Sequence, residues 1–172
     1  MDFYEVVRTR RSIRKYSSKP ISDDVLNRVL DAVRIAPSGS NRQPWKFILV
    51  KDKDVKAELA SNCNNQQFIA EAPIAIAACG YDVQYNRGGY MGAMSMIMDV
   101  SIAFTHLILA ARAEGLGTCW IGAFNNDALK KLLKLPDEWN VVAVTPLGYP
   151  NEPFAEPGSR KTMPEITSVD QF

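Results

Sequence analysis

Three arginines and a serine fall within five residues, Arg10-Arg11-Ser12-Ile13-Arg14. Guanidinium groups are planar, permanently charged donors, so at helical or turn spacing two or three of them converge on one phosphate, with the Ser12 hydroxyl adding a donor. The same string also reads as a solvated charge run continuing through Arg8 and Lys15. A second segment, Ala36-Pro37-Ser38-Gly39-Ser40-Asn41-Arg42-Gln43-Pro44-Trp45, is dense in amides and hydroxyls. Asn41 and Gln43 offer donor and acceptor edges to a planar heterocycle, and Pro37 and Pro44 stiffen the loop, reducing the ordering entropy lost on binding. Read blandly, it is a Pro/Ser/Gly/Asn turn. A third segment, Gly115-Leu116-Gly117-Thr118-Cys119-Trp120-Ile121-Gly122, has three glycines that let a backbone come close to a ligand. It lacks the GxGxxG spacing of a dinucleotide fingerprint and follows a helix, so a helix C-cap with a tight turn is the other reading.

These segments need a scaffold. Residues 2 to 10 place Phe3, Val6 and Val7 on one side of a short helix that ends at the arginines. Ser22 caps a second helix, with Asp23 and Asp24 at its positive end and Val25, Leu26, Val29, Leu30 and Val33 on its buried face, and Pro37 bounds it. Strands are predicted at Trp45 to Val50, Ile74 to Cys79 and Val141 to Leu147, and helices at Asp54 to Asn62, Ala93 to Ala113 and Asp127 to Leu133. The Ala93 to Ala113 helix is apolar nearly all round, which predicts burial against the sheet and against a second subunit. Elements in this order do not alternate as βαβ units. The fold class is therefore α+β, a mixed or antiparallel central sheet covered by helices, in one domain spanning 1–172. The tail, 148–172, is rich in Pro, Gly and charge and is expected to wrap a neighbouring surface.

Composition narrows the function. With 20 basic and 19 acidic side chains, nothing draws the chain generally to nucleic acid or a membrane surface. Cys63, Cys79 and Cys119 show no metal or CxxC spacing, which predicts reduced thiols, no metal site and a cytoplasmic location. No signal peptide is legible after Met1, and Asp99, His106 and Arg112 interrupt the longest apolar stretch. His106 reads as a packed histidine, Cys119 as a small buried hydrophobe, and Asp99 as lacking a carboxylate partner for acid/base work.

Taken in order, the arginine segment, the Pro37-to-Trp45 loop, Gln66 ahead of Ala72-Pro73, the Gly115-to-Gly122 segment, Pro146-Leu147-Gly148-Tyr149-Pro150 and Ser159-Arg160-Lys161 resemble the FMN-dependent nitroreductase family. The resemblance covers nearly the whole chain. It implies an intertwined homodimer with FMN at the interface. Arg10, Arg11, Ser12 and Arg14 would bind phosphate and ribityl groups, and Arg160 or Lys161 would close the phosphate site. Pro37, Ser38, Gly39 and Asn41 of the other subunit would line the isoalloxazine ring, and Asn65 or Gln66 would meet its pyrimidine edge. Ile121 and Gly122 would present backbone N–H groups near O4 and N5. The implied reaction passes a hydride from NADH or NADPH through flavin N5 to a small electron-poor acceptor such as a nitroaromatic or quinone, with no catalytic side chain. Tyr85 and Tyr90, in the Tyr81 to Met98 stretch, are candidates for the substrate lid; the bland reading there is a solvent loop followed by helix core. The competing readings are another FMN redox reaction on the same scaffold, such as dehydrogenation or dehalogenation, and a flavin-binding sensor with little turnover.

Overall fold

The chain runs α1 (Phe3–Thr9), α2 (Asp23–Arg34), β1 (Trp45–Val50), α3 (Lys53–Asn62), α4 (Phe68–Glu71), β2 (Ile74–Tyr81), α5 (Gly89–Ala113), β3 (Gly117–Thr118), α6 (Asn126–Leu132), β4 (Trp139–Gly148) and α7 (Met163–Ile166). The structure, a computed structural model, describes residues 1–83, 89–154 and 158–172. Tyr85 lies outside the described residues.

Short polar side chains set several helix starts by serving the unpaired amides of the first turn. Asp2 accepts from Glu5 N–H at 3.0 Å, Asp52 accepts from Asp54 and Val55, and Asn125 accepts from Ala128. The cap of α6 is thus Asn125, with Asn126 already helical. Ser22 does occupy the cap position of α2, although its hydroxyl makes no capping bond. That helix is held instead by Leu26, Val29 and Val33, which are buried.

The described strands form one sheet in the order β1-β2-β4-β3, each neighbouring pair antiparallel. Alternate residues of β2 face opposite layers, and both layers are full. Ile74, Ile76 and Ala78 pack with α2 and α5 through Val29, Val33, Phe104 and Leu107. Ala75, Ala77 and Cys79 pack with α3, α4 and α6 through Leu59, Ile69 and Leu129. Burial on both faces explains why β2 reads as an unbroken apolar run. All three cysteines are buried and unbridged.

Helix α5 ends at Gly115, whose φ of +76° favours glycine. Leu116 N–H reaches Ala111 O and Gly115 N–H reaches Arg112 O, the paired bonds of a Schellman cap. By length and composition Tyr90–Ala113 would suffice to cross a membrane. Here Val100, Ala103, Phe104, Leu107 and Ala111 are buried in the core, while Met91, Met94, Met98 and Ile102 form an exposed apolar stripe along the same helix. The tail differs from everything before it. Every residue from Gly158 to Phe172 is exposed, Met163, Ile166, Val169 and Phe172 among them.

Candidate functional site

The arginine segment is extended rather than helical. Arg10 leaves α1 at φ −61° and ψ 129°, Ser12 pairs in parallel with Thr118, and Ile13 N–H donates to Thr118 O at 2.9 Å. The segment therefore adds a parallel edge beside β3, making the sheet mixed at this end. Ile13 points inward and is 1% exposed. Gly117 is what lets the two backbones meet, since a Cβ there would lie 2.9 Å from Ile13 Cβ. This close approach serves packing and not a ligand.

Extension corrects the helical or turn spacing expected for the arginines. Arg10, Ser12 and Arg14 all act on the Cys119 thiol, while the charge of Arg11 bears on Arg112. At about 3.3 Å per residue, the Cα atoms of Arg10 and Arg14 are separated by roughly 10–13 Å, so their guanidinium groups meet on one phosphate only if both side chains reach inward at full length. They suit a longer ligand, with an anionic group at one end and polar groups along its length. Neither arginine forms an ion pair among the described residues, whereas Arg28 holds Glu114 at 2.7 Å. The backbone is fixed from a third direction, because Arg14 N–H donates to Glu152 Oε1 at 2.7 Å. Burial pushes the Cys119 thiol up despite the neighbouring cations, so it stays protonated as a small buried side chain.

The loop after α2 is tightly wound. Ser40, Asn41 and Gln43 all have left-handed backbones, with φ of 51°, 54° and 51°. Non-glycine residues there cost energy and persist only where surrounding bonds over-determine them. Gln43 N–H donates to Ser38 Oγ at 2.9 Å, and Gln43 Nε2 donates to Asn41 O at 3.0 Å. Gly39 N–H donates to Asp99 Oδ1 of α5 at 3.1 Å. The Gln43 amide is thus a tether inside the loop, not an edge held out to a heterocycle. Asp99, set aside in the sequence because it had no partner carboxylate, is the loop's link to the core.

After β3 the backbone turns outward. Ile121 N–H donates to Val144 O at 2.9 Å and Val144 N–H returns the bond, so the Ile121 amide is occupied within the sheet and does not face a ligand as expected. Gly122 follows it, is exposed, and has no protein acceptor for its N–H among the described residues. Trp120 stands half-exposed beside it, its indole edge-on to Phe104 at 4.5 Å. The three glycines of this segment have three jobs: Gly115 caps a helix, Gly117 admits Ile13, and Gly122 leaves a donor open.

Other predicted residues have local partners. Gln66 donates to Cys63 O at 2.9 Å, and Asn65 Oδ1 accepts from Ser61 Oγ at 3.4 Å. Arg160 donates to Gly158 O and Ser159 O within its own tail, and Lys161 is exposed beside it, so a single chain does not bring either to Arg10. Tyr90 opens α5 and is exposed, while Tyr81 lies in β2 against Trp139 at 4.9 Å. His106 meets Ala32 O at 3.2 Å, a packed histidine as expected.

These features suit a flat, phosphate-bearing ligand. Arg10 and Arg14, which form no ion pair among the described residues, provide for the charged length along an extended edge, and an open amide and a wound polar loop provide for a planar head. The family model described as Nitroreductase family matches residues 7–75 and 57–149. A protein of Archaeoglobus fulgidus named putative NADH dehydrogenase/NAD(P)H nitroreductase is 35% identical, over 86% of this chain and 85% of its own. A crystal structure of a nitroreductase family protein from Clostridium difficile superposes with a TM-score of 0.88 at 30% identity, covering 100% of both chains. The NADPH:FMN oxidoreductase of Vibrio harveyi, complexed with NAD+, superposes at 0.90 and 26% identity over 99% of this chain and 77% of that one.

Proposed function

This chain belongs to the nitroreductase family, and from that premise we propose that it is an FMN-dependent oxidoreductase that takes reducing equivalents from NADH or NADPH and delivers them to a small electron-poor acceptor such as a nitroaromatic or a quinone. FMN, when bound, would supply hydride-transfer chemistry, and donor and acceptor would share one open space beside it, which gives ping-pong kinetics.

The observation that carries this reading is that Arg10 and Arg14, on the extended edge beside β3, form no ion pair among the described residues. Arg10 binds the phosphate, Arg11 and Ser12 hold the neighbouring polar groups, and Arg14 reaches further along the cofactor. Gly122 N–H, left open by the protein, would donate to the bound flavin ring, where a fixed donor stabilises developing negative charge. Ile121 contributes by fixing that turn rather than through its own amide. Gln66 or Asn65 meets the pyrimidine edge. No side chain of this chain is needed as acid, base or nucleophile.

Two copies assemble to complete each site. The exposed stripe of Met91, Met94, Met98 and Ile102 on α5 is the surface that a second copy covers, and Pro37, Ser38, Gly39 and Asn41 enter from that copy. The tail reaches across, bringing Arg160 or Lys161 to the phosphate. Tyr90, at the exposed start of α5, borders the acceptor space.

The test is direct. Purified protein should be yellow, hold about one FMN per chain, and bleach anaerobically on adding NADH or NADPH. Colourless protein that takes up no added FMN rejects the reading. Bound FMN that neither nicotinamide bleaches rejects the oxidoreductase in favour of the sensor.

A further inference from the structure

Asp99 is an anomaly by its place. It is 6% exposed, midway along an apolar helix, and its neighbours at helical spacing, Ser95 and Ala103, are buried too. A buried carboxylate is costly unless bonds compensate it, so a partner it holds is held firmly. Its Oδ1 accepts the Gly39 N–H, 60 residues away in the chain, at 3.1 Å. Gly39 opens the turn whose next residues, Ser40 and Asn41, have left-handed backbones. Around it the loop is closed by Asn41 N–H on Ser38 O and Gln43 N–H on Ser38 Oγ, both local bonds that fix its shape but not its position on the molecule. Among the side-chain hydrogen bonds of residues 38–43, the one to Asp99 ties the turn to a distant element. That element is α5, which also carries the exposed apolar stripe on a flanking face.

We propose that Asp99 is a positioning residue for the flavin-ring loop, holding residues 38–41 at a fixed place relative to the α5 face on which the second copy sits. This rests on the FMN reading above. Asp99 touches neither cofactor nor substrate; it sets where Ser38, Gly39 and Asn41 are presented. A loop freed from it keeps its internal turn but samples many placements, so cofactor binding must then bear the entropy of ordering it.

The experiment uses three variants of the full-length protein, with FMN titrated into apoprotein by fluorescence quenching and the bound flavin's visible spectrum recorded. Asp99→Asn keeps an acceptor oxygen in place without the charge, Asp99→Glu keeps the charge but displaces the oxygen, and Asp99→Ala removes both. The expected result is that Asp99→Asn binds FMN within a few-fold of the parent. Asp99→Glu and Asp99→Ala should bind roughly tenfold or more weakly and lose the structured flavin band, each with an apoprotein unfolding midpoint close to the parent's. If Asp99→Ala does not fold, the Asn and Glu pair decides. Equal FMN affinity in all variants overturns the proposal, as does an Asn variant as weak as the Glu one, because an acceptor oxygen kept in place would then not suffice to hold the loop. Failure of the parent to bind FMN would instead overturn the FMN reading, before any variant is compared.

Discussion

The chain has two basic segments assigned to one phosphate, and they are built in opposite ways. Arg10 to Arg14 is pinned from three sides, by Thr118 of β3, by the inward Ile13 side chain and by Glu152 on the Arg14 amide. Arg160 and Lys161 sit in the segment from Gly158 to Phe172, which is exposed at every residue and whose bonds around Arg160 stay within it. The first segment is ordered before any ligand arrives, so its charges bind at little further entropic cost. On the proposed reading the second is ordered only on assembly, and its contribution is reduced by that cost. Residues of the same chemistry can therefore be expected to differ in measured effect.

The largest effect should come from the pinned segment. Arg10→Ala and Arg14→Ala should each weaken FMN binding roughly 10- to 100-fold, as lost hydrogen bonds to charged groups do. Because the two side chains are spread along an extended edge, the double variant should show close to the product of the single effects. Titration calorimetry on the three variants checks this; strong non-additivity would mean that both guanidiniums meet on one group after all.

Next is Gly117→Val, which places a Cβ 2.9 Å from Ile13 Cβ and pushes the arginine edge off β3. Overpacking of this kind costs about 1–3 kcal/mol, so the unfolding midpoint should drop and FMN affinity fall with it. A variant with parental midpoint and affinity would show that the pinning is unimportant.

The tail should respond less to point changes. Arg160→Ala is expected to weaken FMN less than tenfold, while a chain ending at residue 157 should keep the parental unfolding midpoint as a monomer but dimerise more weakly by analytical ultracentrifugation. Truncation that unfolds the body would contradict the separation drawn between the segments.

The smallest effect distinguishes body from tail by pH. Burial pushes the thiol of Cys79 from its ordinary 9.0 up to about 12 and that of Cys63 up to about 11. Below pH 9 both thiols are protonated whether the chain is folded or not. Above it the unfolded chain releases protons that the folded chain keeps, so stability must fall as pH rises, by up to about 1.4 kcal/mol per pH unit for each thiol. Thermal melts between pH 8 and 11 should show that fall, it should shrink in Cys79→Ala, and it should be the same in the truncated chain.

Much of the scaffold was legible. Trp45–Val50 is the strand predicted, β2 begins at Ile74 as Pro73 implied, and Gly115 ends α5. These follow from local rules: side-chain periodicity, proline's fixed φ and glycine's access to positive φ. Helix α6 begins at Asn126, one residue before the predicted Asp127, because adjacent asparagines are equivalent in sequence and only the bond from Ala128 N–H marks Asn125 as the cap. The two-residue β3 is too short for any periodicity, and it takes its meaning from Ser12 and Leu147 beside it.

At the site, residue types and their order along the chain were readable from the sequence, and with them the family resemblance, because charge, donor capacity and backbone freedom belong to each residue. Which groups remain open for a ligand was decided by tertiary structure. Ile121 and Gly122 are adjacent and equally plausible as donors, yet Val144 occupies one amide and leaves the other. The arginines suggest one clamp until Thr118 stretches them along an edge. Asp99 reads as a stray charge in an apolar helix until α5 packs where Gly39 can reach it. In each case the reason is that a hydrogen bond consumes a donor or fixes a spacing, and its partner lies far away in the chain.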